Sequence, residues 1–270
     1  MLKIALLHLA PMVGNVAYNQ TLLETGLATA TDLGVDWVVT PELCITGYEF
    51  ARRLGTDWIG LQPDPWMDSF SVFATRYKLT VFLGHADRDA GTGKLYNTVF
   101  VIGSDGSILG RHRKHTVVPG IESWASRNDD IHPISIPSTS FKAGVLICAD
   151  AYTPDVTQRL AAQGANILIS SAAWGPFPHG PETSWEDRSR ETGLPLFVCN
   201  RTGSDSTLDF SSAQSVVAMK GKRLLSHTSP TSTLLVVHWD LERQALVRYA
   251  AQSLKVTGQH APAGGLVETQ

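Results

Sequence analysis

Three residues of this chain stand where side chains do chemistry rather than packing. Cys148 closes the apolar run FKAGVLIC at 141–148, and a helix-start signal, Pro154–Asp155, follows within one loop. A thiol at a strand-to-helix turn meets backbone N–H groups and a helix dipole, which favour thiolate and can hold an oxyanion. The competing reading is a core cysteine packed as a small hydrophobe. Glu42 follows another buried strand in VVTPELCITGY. A carboxylate against apolar walls has a raised pKa and can take a proton from a thiol; the alternative is a loop glutamate accepting from backbone donors. The third feature is RHRKH at 111–115. On a strand, Arg111, Arg113 and His115 face one side, and His112 and Lys114 the other. Lys114 then turns inward as a catalytic cation, unless the run is simply a charged edge strand.

Other chemistries lack their signatures. Five basic residues in a nearly neutral chain are a poor footprint for nucleic acid. His112 and His115 stand among cations that oppose a metal dication. There is no CxxC, no GxSxG, no P-loop and no strand-anchored GxGxxG.

In order and context the three sites resemble the nitrilase (carbon–nitrogen hydrolase) superfamily. TPELCITGY matches its Glu-bearing segment, HRKHTVVPGIESW its Lys-bearing segment and GVLICAD its Cys-bearing segment. Seventy-two residues separate Glu42 from Lys114, and 34 separate Lys114 from Cys148. RLAAQGANILISSAAW and WEDRSRETGLPLFVCNRTG continue the resemblance, which runs from Lys3 to about Leu241. It implies a four-layer α-β-β-α sandwich, subunits that pair into a homodimer or higher homo-oligomer, and no metal or organic cofactor. It also implies a Glu42–Lys114–Cys148 triad acting through a thioester, with the Ala149 N–H helping to hold the oxyanion. A second family glutamate, which positions the lysine, maps to Glu122.

The chain departs from the family in CADAYTPD, where Ala149 replaces a frequent aromatic and Asp155 stands where Glu is usual. Ala213-Gln214-Ser215 replaces a Gly-x-Ser pair. These changes leave the triad intact and bear on the substrate. The resemblance thus implies an amidase or carbamoylase on a small linear amide, Asp150 favouring this side. Alternatives are a nitrilase, acyl transfer to an amine, or a non-catalytic binding protein.

The elements that position these residues alternate. KIALLHLA (3–10), DWVVT (36–40), TVFLG (80–84), FKAGVLIC, NILISSAAW and PLFVCN (195–200) read as strands. A helix capped by Asn15 or Asn19 ends at Gly34, and another carries Trp66, Phe70, Phe73 and Tyr77 on one stripe. Helices also run from Pro154 to Gln163 and around Trp185 to Thr192. LYNTVFVIG and ILGRHRK flank SDGS as a hairpin, and SVVAM, RLLSH and STLLVVHW follow as further strands. The reading divides the chain into a hydrolase domain over 1–250 and a tail over 251–270. The loops after Glu42, Cys148 and Trp174 converge at strand ends, so Tyr48, Tyr152, Trp174 and Phe177 are candidate pocket walls and Asp150 a polar partner of the substrate. Such a pocket suits an uncharged, apolar or aromatic acyl group.

Composition agrees with this picture. The 270 residues carry a formal net charge of −3 and 43% hydrophobic residues, enough for a large core and no field for nucleic acid or anionic membrane. No apolar run reaches the ~18 residues of a membrane helix. MLKIALLHLAPMVG is interrupted by His8 and Pro11 and reads as a first strand. Three cysteines, Cys44, Cys148 and Cys199, cannot all pair, which points to a reducing, cytoplasmic setting.

Overall fold

In β1 (Leu2–His8) every second side chain points the same way, and both faces are apolar. Ile4 and Leu6 join one buried cluster, Ala5 and Leu7 another. The same alternation sorts Trp37 and Val39 from Val38 in β2 (Trp37–Val39), and Phe82 from Val81 and Leu83 in β3 (Thr80–Arg88). A strand apolar on both faces needs a layer on each side. In this computed structural model, which describes residues 1–137, 139–176 and 180–256, the outer layer is helical and the inner layer is a second sheet.

The first sheet has seven strands in the order β13-β12-β1-β2-β3-β4-β5, adding β4 (Leu95–Ile102), β5 (Ile108–Arg113), β12 (Thr233–Asp240) and β13 (Ala245–Ser253). The second has six in the order β11-β10-β9-β8-β7-β6, built from β6 (Ile134–Ser135), β7 (Lys142–Ile147), β8 (Ile167–Ala172), β9 (Leu196–Asn200), β10 (Ser215–Met219) and β11 (Lys222–His227). Each sheet has three parallel strands at its centre, β1-β2-β3 and β7-β8-β9, with antiparallel strands outside them. Helices α1 (Val16–Asp32) and α3 (Pro65–Tyr77) cover the first sheet. Helices α4 (Asp155–Ala162) and α5 (Ser184–Thr192) pack on the second. The short α2 (Phe50–Leu54) lies in the connection after Glu42. The architecture is the expected α-β-β-α sandwich.

Several expectations shift in detail. Asn15 caps α1, its side chain accepting from the Tyr18 N–H at 3.2 Å, while Asn19 is buried inside the helix. The buried stripe of α3 is Met67, Phe70 and Ala74; Trp66, Phe73 and Tyr77 are only half-buried. The boundary expected at 250/251 falls inside β13, which pairs with β12 from Asp240↔Ala245 to Thr233↔Ser253. Phe177 and the tail from 257 lie outside the described residues. Among the described residues no helix is long and apolar enough to cross a membrane.

One close approach ties the fold to the site. Gly84 in β3 donates its N–H to Thr40 Oγ1 at 2.9 Å, and a Cβ there would lie 2.3 Å from Pro41 O and 3.2 Å from the Glu42 Cα. Only glycine lets β3 pass this close to the turn carrying Glu42. Gly84→Ala is expected to cost about 1–3 kcal/mol of stability, as overpacking does, and to lower turnover per folded molecule by displacing Glu42. Urea denaturation beside activity measured on the folded fraction checks both.

Candidate active site

Glu42 leaves the C-terminal end of β2, Lys114 follows the edge strand β5, and Cys148 follows β7 of the other sheet. Sites of α/β folds form where strands deliver their carboxyl ends. Here the two sheets deliver theirs to one place. Lys114 Nζ lies 2.6 Å from Glu42 Oε1 and 2.5 Å from Glu122 Oε1, with all three side chains buried. Glu42 Oε2 accepts the Ala173 N–H at 3.0 Å, and Glu122 Oε2 accepts the Val118 N–H at 2.8 Å.

Asn97 completes the cluster and was not singled out from sequence. Its Nδ2 donates to Glu42 Oε1 at 2.7 Å and reaches Glu122 Oε1 at 3.3 Å, while its carbonyl accepts the Lys114 N–H at 2.8 Å. A buried amide in the middle of the apolar strand LYNTVFVI was the available signal.

The electrostatics follow from burial. Loss of water raises the Glu42 carboxyl to about 7; Lys114 opposes the rise and Glu122 adds to it. Burial alone would lower Lys114, but Glu122, Glu42 and Cys148 together hold its ammonium well above the ordinary lysine value. The Cys148 thiol is pushed well up by burial and by Glu42, with Lys114 and the Ala173 N–H pulling the other way. The expected thiolate-favouring turn is therefore not what the structure shows. Cys148–Ala151 form a single 3₁₀ turn, and burial together with Glu42 moves the thiol upward rather than toward thiolate. Cys148 itself has φ +46° and Leu43, next to Glu42, φ +49°, strained backbone at both reacting groups.

The basic run behaves as expected up to Lys114 and not beyond. Lys114 and His112 point inward and are buried. Arg111 and Arg113 converge on the buried Asp87, at 3.1 and 2.6 Å. His115 does not join them: the strand ends at Arg113, and His115 is buried, 2.9 Å from the Asn128 carbonyl.

The pocket residues divide. Tyr48 is buried, its ring 6.0 Å from Lys114 Nζ and edge-on to Phe210. Trp174 is buried against Tyr152 and Trp185, and Asn200 holds its backbone through bonds of 3.0 and 2.8 Å. Tyr152 is 44% exposed, and its ring lies 4.9 Å from that of the buried Trp174. Ala149 is buried beside the nucleophile. Asp150 is a correction: it is fully buried, and His112 and three backbone N–H groups occupy its carboxylate, so it offers nothing to a substrate. Burial would raise its pKa, but His112, the Thr116 N–H and Lys114 hold it below the usual value. Among the described residues no group of three or more His, Cys, Asp or Glu side chains is arranged to hold a metal.

A cysteine beside a lysine shared by two carboxylates, on a four-layer sandwich, defines a class of carbon–nitrogen bond hydrolases. The carbon-nitrogen hydrolase family matches residues 3–249, and the chain belongs to it. An (R)-stereoselective amidase from Pseudomonas sp is 26% identical over 261 residues, 94% of this chain and 90% of that protein. A glutamine-dependent NAD(+) synthetase from Rhodobacter capsulatus is 30% identical over 252 residues, 90% of this chain but 44% of the synthetase. The amidase of Nesterenkonia sp. AN1, solved with acrylamide added to its active site cysteine, superposes with a TM-score of 0.77 at 21% identity, covering 89% of this chain and 94% of that one.

Removing the cation tests the cluster. Lys114→Ala leaves Glu42 and Glu122 buried without their countercharge, at an expected cost of ~3–5 kcal/mol near neutral pH. Because the folded Glu42 value lies above its ordinary 4.5, its contribution to stability is full below 4.5 and is lost as pH rises through about 7. Protonated Glu42 leaves one fewer unpaired charge, so the Lys114→Ala deficit should be smaller at about pH 5 than at about pH 8. Urea melts of both proteins at the two pH values measure it.

Proposed function

We propose that this protein is a cysteine-dependent amidase. It cleaves a small linear amide to a carboxylic acid and ammonia, or an N-carbamoyl compound to an amine, carbon dioxide and ammonia. The observation that carries the reading is Lys114 Nζ held between Glu42 and Glu122 in the immediate field of a protonated Cys148 thiol.

Glu42, ionised, takes the thiol proton as Cys148 Sγ attacks the amide carbonyl. The carbonyl oxygen gains negative charge and is met by the Lys114 ammonium and the Ala149 N–H. The tetrahedral centre collapses, the C–N bond breaks, and the proton on Glu42 passes to the leaving nitrogen. This leaves a thioester and ammonia. Glu42 then takes a proton from water, whose oxygen attacks the thioester; the tetrahedral centre collapses, the C–S bond breaks, and Glu42 returns the proton to the departing sulfur, releasing the acid and restoring the thiol. Each half-reaction returns Glu42 to its starting charge. Glu122 and Asn97 touch Lys114 or Glu42 and orient them.

The walls support an uncharged acyl group. Tyr48, Phe210, Tyr152 and Trp174 supply rings around the cluster. A cavity of 320 Å³ beside Trp174 is bounded by Pro176, Pro181, Ala213 and Gln214 and by the charged Glu182 and Arg223. An apolar or aromatic primary amide fits such walls better than a dicarboxylate. Three unpaired buried thiols suit a reducing compartment such as the cytoplasm.

Ammonia release across small amides, N-carbamoyl compounds and nitriles tests the reading. Amides with apolar or aromatic acyl groups should turn over, nitriles slowly or not at all, and Cys148→Ala should abolish release. Nitriles hydrolysed faster than the matching amides would make it a nitrilase instead. Iodoacetamide should inactivate by labelling Cys148 alone: Cys44, raised by burial to about 12, and Cys199 are sealed in the core.

The pH dependence has a definite sign. Below about 7 Glu42 is protonated and cannot take the thiol proton. The pH profile of kcat/KM should therefore rise on an acid limb centred near 7 and level off above it. A limb centred near the ordinary glutamate value would overturn the raised carboxyl, and the absence of any acid limb would show that Glu42 is not the base.

A further inference from the structure

Asp150 stands where the two sheets meet, and its carboxylate faces protein on every side. Oδ1 accepts from the His115 N–H at 3.1 Å and the Thr116 N–H at 2.8 Å. These are the two residues after Lys114. Oδ2 accepts from the Ile147 N–H at 3.0 Å, one residue before Cys148, and from His112 Nε2 at 2.8 Å, two residues before Lys114. A carboxylate has about four acceptor sites, so this set is complete. Asp150 and His112 are both buried.

The arrangement has a geometric consequence. Lys114 lies just beyond β5, the last strand of its sheet, and Cys148 just beyond β7 of the other. One anion grips the chain on both sides of the lysine and at the foot of the nucleophile. His112 supplies the side-chain donor from the inner face of β5. Charge-assisted bonds to a buried carboxylate are short and strong, and leaving one unmade is costly. The pair is thus a rigid cross-sheet strut rather than a wall of the pocket.

We propose that Asp150 and His112 form a positioning pair that sets Lys114 Nζ against Cys148 Sγ. It acts on the reacting geometry and not on substrate affinity. The proposal rests on the reading of Cys148 as nucleophile beside Lys114. It does not depend on which amide is cleaved.

The test uses the full-length protein and two readouts: steady-state kinetics on the best amide, and the rate of Cys148 alkylation by iodoacetamide, which displaces iodide and needs no cleavage of a C–N bond. His112→Phe keeps the ring and removes the donor; His112→Gln keeps a donor; Asp150→Asn sets an amide N–H against the Ile147 N–H. Misplacing a reacting group by an ångström costs about 100-fold. His112→Phe and Asp150→Asn should therefore lower kcat by about that factor with KM within about threefold, and slow alkylation in parallel. His112→Gln should recover most of the loss. Thermal midpoints show how much protein is folded, and rates are taken per folded molecule. If Asp150→Asn fails to fold, the two His112 variants carry the test. A rise in KM with kcat unchanged would place Asp150 on the substrate and overturn the proposal. So would lowered midpoints with unchanged kcat and alkylation. A wild-type protein that cleaves no amide, yet shows slow alkylation in His112→Phe and normal alkylation in His112→Gln, would sink the amidase reading and leave the pair standing.

Discussion

Everything at the site depends on one buried ammonium shared by two carboxyl groups. Removing three ionisable groups from water costs several kcal/mol for each ion, and attraction offsets that only where the remaining polar atoms are satisfied. The structure meets this demand group by group. Asn97 donates to both carboxyl groups, the Ala173 N–H to Glu42 and the Val118 N–H to Glu122. One cation also faces two anions: burial first, and Glu122 beside it, raise the Glu42 carboxyl to about 7 despite the lysine 2.6 Å away. A base with that value binds a proton readily at neutral pH and gives it up readily. Those are the two properties an acyl transfer asks of one residue.

The fold follows from how these groups must be brought in. Glu42 and Lys114 belong to one sheet, Cys148 and Ala173 to the other. Their meeting requires the two sheets to lie face to face with strand ends aligned. The inward stripes of Ile4, Leu6, Trp37, Val39 and Phe82 supply that contact, and the helices seal the outer faces. Close approach at Gly84 and positive φ at Leu43 and Cys148 are local costs met by the packed sandwich around them.

This division explains what sequence alone revealed. Glu42 and Cys148 each come just after an apolar strand, and Lys114 just after a strand of readable alternation, so one-dimensional pattern pointed to all three. Asp150 has the same kind of position, yet its partners come from the opposite sheet, and no local pattern shows that its four acceptor sites are taken. His115 defeated the alternation because β5 stops at Arg113. Asn97 went unnoticed because an amide in a strand matters only through what faces it. The strand β13 was missed for a different reason. Its residues are mostly exposed along an edge, so ALVRYAAQS lacks the apolar stripe by which buried strands are recognised.

The raised thiol value completes the logic of the site. A cysteine that is ionised at rest reacts with any electrophile or oxidant that reaches it. Cys148 is 3% exposed and its thiol is raised by burial and by Glu42, so in the proposed reaction its attack depends on Glu42 taking the proton while Lys114 meets the charge on the carbonyl oxygen. Cys44 and Cys199 are equally buried but donate to backbone carbonyls, of Gly84 and Leu7, and have no carboxylate to take their protons. Burial alone therefore makes an inert thiol. Burial beside a carboxyl raised to about 7 gives the thiol a base at hand to take its proton.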